Sequence, residues 1–211
     1  MEVKDKILYH YHNKSIYDDI WQIGNELKID NNFYSHFCKY MSNFSTAVDV
    51  TYKEKIYRES FDYVLEEYLK EEKFRTIDSN LAKQFMNSAI RIIKNTNMLH
   101  REYMLEQYRC DNCPNLPSRY HSIWLTDYDN LDYWEEKLNK NNSLKLFKLK
   151  VTGNLFKSSD FFIPNDNLTL EEMYNQSYYY WHPDFTKEKA LEESEYLFQG
   201  KVKIIEMKKI K

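Results

Sequence analysis

Residues 113–138 read CPNLPSRYHSIWLTDYDNLDYWEEKL, and the character of the sequence changes within this stretch. Before it, residues 30–110 have the apolar spacing of amphipathic helices almost throughout. Pro114 and Pro117 stop any helix, and residues 120–126 then have the apolar and aromatic character of a strand. The chain is therefore predicted to place helices first and strands mostly second, which is an α+β fold.

Length and composition indicate one globular domain. The chain has 211 residues, of which 42% are hydrophobic and 30% are charged, with only 3 Gly and 4 Pro. This composition excludes disordered and low-complexity classes, and the length allows one substantial core. We predict a single domain over residues 1–211, in which residues 30–110 form a helical insertion and residues 114–211 form the main part of a β-rich core.

Charge and cysteine content bear on the cellular setting. The net charge is −3, so no field over the whole chain attracts nucleic acid or an anionic membrane. No apolar run approaches the ~20 residues that span a bilayer, and the N-terminus lacks the apolar stretch of a signal peptide. Three cysteines are too few for a full disulfide framework, which agrees with a reducing compartment. These features predict a cytoplasmic protein without a membrane partner.

Two of the cysteines, Cys110 and Cys113, have the spacing of a zinc-ligand or redox pair. A structural zinc site needs two further ligands, which Cys38, His100 or His121 would have to supply from elsewhere in the chain. An ordinary loop with reduced thiols is the simpler interpretation, and we predict no metal site.

Short patterns predict elements in the first half of the chain. Residues 7–11 form an apolar and aromatic strand, and Ser15 caps a helix whose apolar face extends to Leu27. Within the predicted insertion, one helical stripe begins at Tyr57 and another begins at Leu81. The insertion therefore follows directly on the first strand and its helix.

The second half of the chain alternates between helices and strands. Asp127, a turn or N-cap residue, introduces a short helix, and residues 139–143 form a loop. Residues 145–151 alternate as a half-buried strand that ends at Gly153. The remaining predicted elements are helices at 168–174 and 186–195 and a strand pair at 196–198 and 202–205 with a turn or bulge at Gly200. The aromatic cluster at 174–181 fits a strand, a loop or a helix end.

Polar side chains inside predicted strands are the candidate functional residues, because a sheet favours apolar residues there. His10 is the first, although a lone strand histidine is usually structural. Ser122 and Trp124 lie in a strand that either packs against its own following helix or offers rings to a planar ligand. Glu195 is the third, because acids lead directly into an apolar strand there. Its carboxylate is either solvated or able to stabilise a developing cation.

Three segments, taken in order, resemble the His, Tyr and Glu motifs of diphtheria-toxin-like and poly(ADP-ribose) polymerase-type ADP-ribosyltransferases. They are Leu8-Tyr9-His10, then Ser122-Ile123-Trp124-Leu125-Thr126-Asp127 with its following aromatic helix, and Glu195-Tyr196-Leu197-Phe198. The resemblance implies a split β-sheet core with a large helical insertion after the first strand. It also implies NAD as a substrate and a macromolecular acceptor, either protein or nucleic acid. A toxin, a phage effector or a defence protein are the settings that it suggests.

The resemblance also implies roles for individual residues. His10 would hold a ribose hydroxyl of NAD, and Trp124 with Tyr133 or Trp134 would bracket the nicotinamide. Glu195 would bond the 2′-hydroxyl of the nicotinamide ribose and stabilise the oxocarbenium-like transition state as nicotinamide leaves.

Three neighbouring residues complete the expected NAD site. Tyr11 and Ser122 flank the motif positions and are expected to line the same site. Arg119 is a candidate for the NAD pyrophosphate, because an arginine fork matches phosphate oxygens. Surface charge or salt bridges explain Arg119 at least equally well.

The chain departs from the motifs at two positions. Tyr11 follows the histidine where a small residue is usual, and Trp124 replaces the usual tyrosine. Either ring crowds the nicotinamide site, so the alternative is a catalytically inactive nucleotide-binding or protein-interaction module on the same fold. The lysine-rich strands and C-terminal tail fit a nucleic-acid acceptor, and equally fit solvated edges that discourage aggregation.

Overall fold

The computed structural model of the protein describes residues 1–13, 20–52, 55–70, 79–139 and 144–210. The chain divides into two compact units. The larger unit comprises Met1–Cys38 and Arg101–Lys211, and the smaller comprises Lys39–His100. The smaller unit lies within the predicted insertion of residues 30–110. Helices and strands both contribute, so the fold is α+β as predicted.

Strands and helices follow one another through both units. The strands are β1 (Glu2–Asn13), β2 (Glu26–Ile29), β3 (Ala47–Tyr52), β4 (Lys55–Ser60), β5 (Ile123–Leu125), β6 (Leu144–Ser159) and β7 (Ser194–Lys209). The helices are α1 (His36–Ser42), α2 (Phe61–Lys70), α3 (Ser79–Asn112), α4 (Leu131–Leu138), α5 (Leu170–Trp181) and α6 (Glu188–Glu192). Short 3-10 turns precede α4 at Tyr128–Asn130 and follow β6 at Asp160–Phe162.

The larger unit is built on one antiparallel sheet with the strand order β1-β6-β7-β2, and β5 pairs with the first half of β7. A single bridge also joins β5 to β1, through backbone hydrogen bonds of 3.0 and 2.8 Å between Tyr9 and Thr126. The path β1-β6-β7-β5 therefore returns to β1. The three segments that resemble motifs lie on three strands of this path, with β5 between the other two.

Side chains alternate between the two faces of these strands, and each face buries its own apolar cluster. One cluster includes Leu8, Phe147 and Phe198. The other includes Leu197 with Tyr180 of α5 and residues of α3. Neighbours along a strand therefore belong to different clusters, and this decides which polar residues meet.

Gly153 and Gly200 lie opposite each other in the middle of β6 and β7. Each has a positive φ, 151° and 147°, and both strands continue through the pair. The predictions that a strand ends at Gly153 and that Gly200 is a turn or bulge between two strands are therefore wrong, since the register of β6 and β7 is continuous through the glycine pair. The two backbones approach so closely that glycine is required, and the strands bend at this point without stopping.

Adding a methyl group at Gly153 is expected to destabilise the larger unit. A Cβ there would lie 2.4 Å from the carbonyl oxygen of Gln199, which is backbone and cannot rotate away. We expect Gly153→Ala to lower the free energy of unfolding by about 2 kcal/mol, measured by urea denaturation. Gly24→Ala is the matched control, because Gly24 also has a positive φ but has open space around it. Equal losses in the two variants would contradict the steric explanation.

The helix predicted from Ser15 to Leu27 differs from what the structure contains. Its first part, residues 15–19, lies outside the described residues. Its second part is not helical, because Gly24 adopts a φ of 92° and Glu26 begins β2. Leu27 pairs with Val202 of β7, so this apolar residue belongs to a strand and not to a helix. Residues 140–143 of the predicted loop also lie outside the described residues.

The smaller unit contains strands as well as helices, which corrects the all-helical insertion. β3 and β4 pair along their length, and Tyr57 lies in β4 and not on a helical stripe. The stripe from Leu81 is helical, since α3 extends over 34 residues. Phe85 of this helix packs edge-on against Phe61 and Tyr68 of α2. Packing across the hairpin and helices therefore determines this unit more than helical spacing does.

The C-terminal helices partly agree with the prediction. The aromatic cluster at residues 174–181 is the end of α5, which begins at Leu170 behind a capping box made by Thr169 and Glu172. The helix predicted at 186–195 is short, because α6 ends at Glu192. Glu195 consequently lies in a strand. Among the described residues, no helix is long and apolar enough to cross a membrane.

Candidate functional site

The carboxylate of Glu195 is buried at the start of β7, with 5% of the residue exposed. The Tyr180 hydroxyl donates a hydrogen bond of 2.6 Å to its Oε1. The Arg119 guanidinium donates to the same oxygen over 3.2 Å. Among the described residues, no hydrogen bond reaches Oε2. Glu195 is thus held through one oxygen, which leaves the other for a ligand.

Arg119 is the central cation of the cluster and is also buried, with 3% of the residue exposed. Its Nε and Nη2 donate to the two carboxylate oxygens of Glu102, at 2.7 and 3.0 Å. Its guanidinium carbon lies 5.5 Å from the ring of Trp124 and 4.6 Å from the ring of Tyr180. Arginine suits this position because its planar fork satisfies two carboxylates while its faces contact aromatic rings.

The helices α3 and α5 bring Glu102 and Tyr180 to the sheet. Glu102 lies on the same side of α3 as Glu106, which accepts the backbone N–H of Arg119 over 3.2 Å. The Trp181 indole donates to the carbonyl oxygen of Leu105 at 2.8 Å, which fixes α5 against α3. Glu102 thus binds the Arg119 guanidinium, whereas Glu106 accepts the Arg119 backbone N–H and pairs its carboxylate with Arg109.

Burial and pairing shift the protonation equilibria of this cluster. Burial raises the pKa of Glu195, and Arg119 opposes that shift. Burial works against the Arg119 cation, yet Glu102, Tyr180 and Glu195 outweigh it and raise the guanidinium pKa. Burial also raises the pKa of Tyr180, so its phenol keeps the proton that it donates to Glu195.

One face of β5 adds two unpaired hydroxyls to the site. Ser122, Trp124 and Thr126 alternate onto the same face, and Trp124 lies opposite Leu197 of β7. Continuing that register puts Thr126 opposite Glu195. Among the described residues, the buried Oγ of Ser122 and Oγ1 of Thr126 have no hydrogen-bond partner. Each such group costs about 1–3 kcal/mol, which is offset when a ligand or water binds there.

Helix α4 packs over the strands that carry the first and third motif segments. The Tyr11 hydroxyl donates to the carbonyl oxygen of Leu131 at 2.9 Å. The Trp134 indole donates to the carbonyl oxygen of Ser194 at 3.0 Å. Trp134 is therefore close to the Glu195 segment, Tyr11 contacts the start of α4, and each has its polar group bonded to backbone.

Asn130, just before α4, fastens the segment that leads into Glu195. Its amide donates to the carbonyl oxygens of Leu191 and Glu192, each at 2.7 Å. The Ser194 hydroxyl donates to the Asn130 side-chain oxygen over 3.2 Å. The backbone approaching Glu195 is held at three points by one side chain.

Tyr133 belongs to a second polar group beside this segment. Lys137 donates to its hydroxyl at 3.1 Å and also pairs with Asp160. Burial raises the Tyr133 pKa, and the charges of Asp160 and Glu193 raise it further. The phenol of Tyr133 is therefore neutral and hydrogen-bonded, and its ring packs edge-on against Trp134 at 5.1 Å.

His10 lies on the opposite face from Glu195. It is opposite Phe147 in the β1–β6 pair and stacks on Trp21 at 4.7 Å. Its Nδ1 is 2.8 Å from the carbonyl oxygen of Trp124. A carbonyl only accepts hydrogen bonds, so Nδ1 carries the proton and Nε2 is an acceptor. Burial lowers the His10 pKa to about 4.

The lowered pKa predicts an acid-sensitive contribution from His10. The neutral ring stabilises the fold above pH 6.5, and this contribution, at most about 3 kcal/mol, is lost as the pH falls toward 4. His10→Asn keeps a donor for Trp124 without titrating. Urea unfolding across this pH range should show wild type losing stability relative to the variant. A difference between the two proteins that does not change with pH would contradict the assignment.

The structure brings most of the predicted residues together, with one exception in position and one in predicted role. Trp124, Ser122 and Glu195 share one face of the sheet. The predicted residues Tyr11 of β1 and Tyr133 and Trp134 of α4 lie on elements that adjoin this face. His10 does not share that face. Arg119 is corrected as a pyrophosphate ligand, because its donors already bind Glu102 and Glu195 and the residue is buried.

Residues that the sequence prediction missed support the site from neighbouring elements. They are Glu102, Thr126, Asn130, Asp160 and Tyr180. Glutamates at four-residue spacing on an otherwise apolar helical face were the available signal for Glu102. No local pattern distinguishes Tyr180 from the other tyrosines of α5.

No arrangement of three or more potential metal ligands occurs among the described residues. Cys110 is exposed and reduced, and Cys113 lies 3.9 Å from the Nε2 atom of His182. This is a thiol–imidazole contact outside the Glu195 cluster.

No curated protein matches the chain significantly. A family model described as "Protein of unknown function (DUF2441)" matches residues 8–211. The match begins just before His10 and includes β5, β7 and the whole Glu195 cluster. The chain belongs to the DUF2441 family.

Proposed function

We propose that the protein is an NAD-dependent ADP-ribosyltransferase that transfers ADP-ribose to a macromolecular acceptor, with Glu195 as its catalytic carboxylate. The observation that carries the proposal is the adjacency of the three motif segments in one sheet. β5 pairs with β7 at Trp124 and bridges β1 beside His10. Segments distant in sequence become neighbours, with Trp124 and Glu195 on one face of the sheet and His10 on the other.

The geometry of Glu195 supports the chemistry. Breaking the C–N bond between ribose and nicotinamide sends the bonding electron pair to the nicotinamide ring and leaves positive charge on the sugar. A fixed carboxylate in a low-dielectric site stabilises that charge more than water does. Tyr180 and Arg119 hold Oε1, so Oε2 is the oxygen that faces a ribose hydroxyl.

Two further features support binding of a polar planar ligand beside Glu195. The hydroxyls of Ser122 and Thr126 are buried without partners among the described residues. The indole of Trp124 lies between them on the same strand face. An amide or ribose hydroxyl would satisfy such groups, and the indole would cover a flat ring.

His10 acts from the other side in this proposal. Its bond to the Trp124 carbonyl lies where β1 and β5 share only one bridge. The residue as a whole is half-buried, and the Nε2 atom of its neutral ring is an acceptor. A ribose hydroxyl donated to Nε2 would suit the neutral tautomer.

A nucleotide-binding module without chemistry is the second candidate, and one observation favours it. Arg119 neutralises Glu195 directly and lies against the Trp124 ring. A carboxylate permanently paired in this way stabilises a sugar cation less. Turnover would therefore require Arg119 to remain on Glu102 while its contact with Glu195 weakens.

Nicotinamide release from NAD, measured together with NAD binding by calorimetry, tests the proposal. Release by the wild-type protein is the expected result. Binding without release would favour the second candidate. If the protein neither binds NAD nor releases nicotinamide, both candidate functions are contradicted, because each requires the nucleotide to bind at this site.

A further inference from the structure

The surface that borders the Glu195 segment is acidic. Between Asp127 and Leu138 the chain has five acidic residues and one lysine. Asp129, Asp132 and Glu136 are exposed. This stretch carries the Asn130 and Trp134 contacts to residues 191–194, so its charge lies at the border of the site.

The neighbouring cations offset only part of this charge, and Lys157 pairs with Asp127 over 3.7 Å. Lys137, the lysine of that stretch, pairs with Asp160. Lys189 of α6 pairs with Glu193 over 3.5 Å. Lys187 has its ammonium over the rings of Phe161 and Phe162, at 5.5 and 5.7 Å. Glu188 and Glu192 add two exposed acids on the same helix.

The interior of the site points independently to a ligand. Ser122 is 0% exposed and Thr126 is 4% exposed, and among the described residues neither hydroxyl has a partner. Both lie on the strand face that carries Trp124 and adjoins Glu195. The acidic surface therefore borders a place built to hold a polar molecule.

The lysine-rich surface lies along the other half of the sheet. Lys148, Lys150 and Lys203 are on the parts of β6 and β7 beyond the glycine pair. Each pairs with an acid, Glu206, Asp5 and Glu26 respectively. Lys201, Lys208 and Lys209 are further exposed lysines of β7, and this basic surface is distant along β7 from Glu195. A polyanion such as nucleic acid finds no matching charge at the border of the site.

From this charge distribution we propose that the acceptor is a basic polypeptide whose lysine or arginine side chains approach Glu195 over the acidic surface of α4. The inference rests on the proposed function and names its acceptor class. In the transfer, the acceptor nitrogen forms a bond to the ribose carbon that nicotinamide has left. Its proton passes to solvent or to a carboxylate of the site, so atoms and charge balance.

Charge reversal on the exposed face of α4 tests the inference. Asp132 and Glu136 are four residues apart, both exposed, and outside the set that contacts Glu195. We expect Asp132→Lys/Glu136→Lys to lower kcat/KM for transfer to poly-L-arginine or poly-L-lysine on the order of tenfold at low salt, mainly through KM. Nicotinamide release without acceptor should be unchanged. The difference should shrink at high salt, because surface charges are screened.

Glu206→Lys, a reversal at an exposed β7 residue far along the strand, is the matched control and should keep wild-type transfer. Modification of a single-stranded oligonucleotide in preference to the polycations would overturn the acceptor assignment. So would equal transfer by the α4 variant and the wild type.

A binding measurement separates this inference from the proposed function. Fluorescence anisotropy of a labelled oligo-arginine peptide needs no turnover, and the α4 variant should bind it on the order of tenfold more weakly than wild type. Absence of nicotinamide release would refute the proposed activity alone if peptide binding still depended on Asp132 and Glu136. If the α4 variant and the wild type bind the peptide with equal affinity, the acidic acceptor surface is refuted, whether or not the protein releases nicotinamide.

Discussion

Replacing Arg119 by methionine is expected to lower the free energy of unfolding by about 3–5 kcal/mol. Arg119 neutralises Glu102 through two hydrogen bonds and Glu195 through one. All three residues are at most 5% exposed, so water does not solvate the carboxylates once the guanidinium is gone. The remaining carboxylates then either stay buried and unpaired or take up protons. Urea denaturation at neutral pH measures the loss.

Two companion variants make the Arg119 result interpretable. Arg91→Met removes an exposed arginine from α3 and should change the free energy of unfolding by less than about 0.5 kcal/mol. Adding Glu195→Gln to Arg119→Met removes one of the stranded carboxylates and should recover part of the loss. An Arg119→Met protein as stable as the Arg91 variant would mean that the cluster does not depend on its central cation.

In this cluster, the sequence predicted the positions of the strands better than the ion pairs between charged side chains. Alternating apolar residues around Trp124 and after Glu195 determine which face is buried, and this pattern is local. The strands β1 and β5 were therefore predicted near their observed places. The partners of Arg119 come from α3 and α5, and no spacing rule connects those segments.

The errors in the predicted fold have physical causes that a local pattern does not contain. Gly153 and Gly200 look like strand ends, because glycine usually interrupts a strand. Both glycines are needed because the backbones of β6 and β7 approach each other closely there, and this approach depends on the two strands together. Leu27 fits a helical face but contributes to a strand, because pairing with β7 outweighs its helical spacing.

His10 illustrates the same limit within the site. Its position in the first strand was predicted, but its face was not. A strand residue and its neighbour point to opposite sides, so an error of one position reverses the environment. Stacking on Trp21 and the bond to the Trp124 carbonyl depend on the assembled sheet.

Replacing Glu195 by glutamine is expected to reduce nicotinamide release by about 10³-fold if the proposed function is right. Glutamine keeps an oxygen that accepts from Tyr180 and Arg119, so the shape of the site is preserved. What it removes is the negative charge that stabilises the sugar cation. The comparison with wild type therefore isolates electrostatics from packing.

Stability should behave in the opposite way to activity in the Glu195 variant. Because burial raises the Glu195 pKa, the folded protein binds its proton more tightly than the unfolded chain does. This contribution is full below about pH 4.3, the ordinary glutamate value, and is lost as the pH rises through the folded pKa. Wild type should therefore lose stability relative to Glu195→Gln as the pH rises, and the variant should be at least as stable at neutral pH.

Glu192→Gln, the same change at an exposed residue of α6, is the control and should retain release and stability. Reduced release together with a large loss of stability in Glu195→Gln would mean that the carboxylate is mainly structural. Unchanged release would remove Glu195 from the mechanism. Lost release with unchanged or increased stability is the result expected of a catalytic carboxylate, because the loss of activity is then not caused by unfolding.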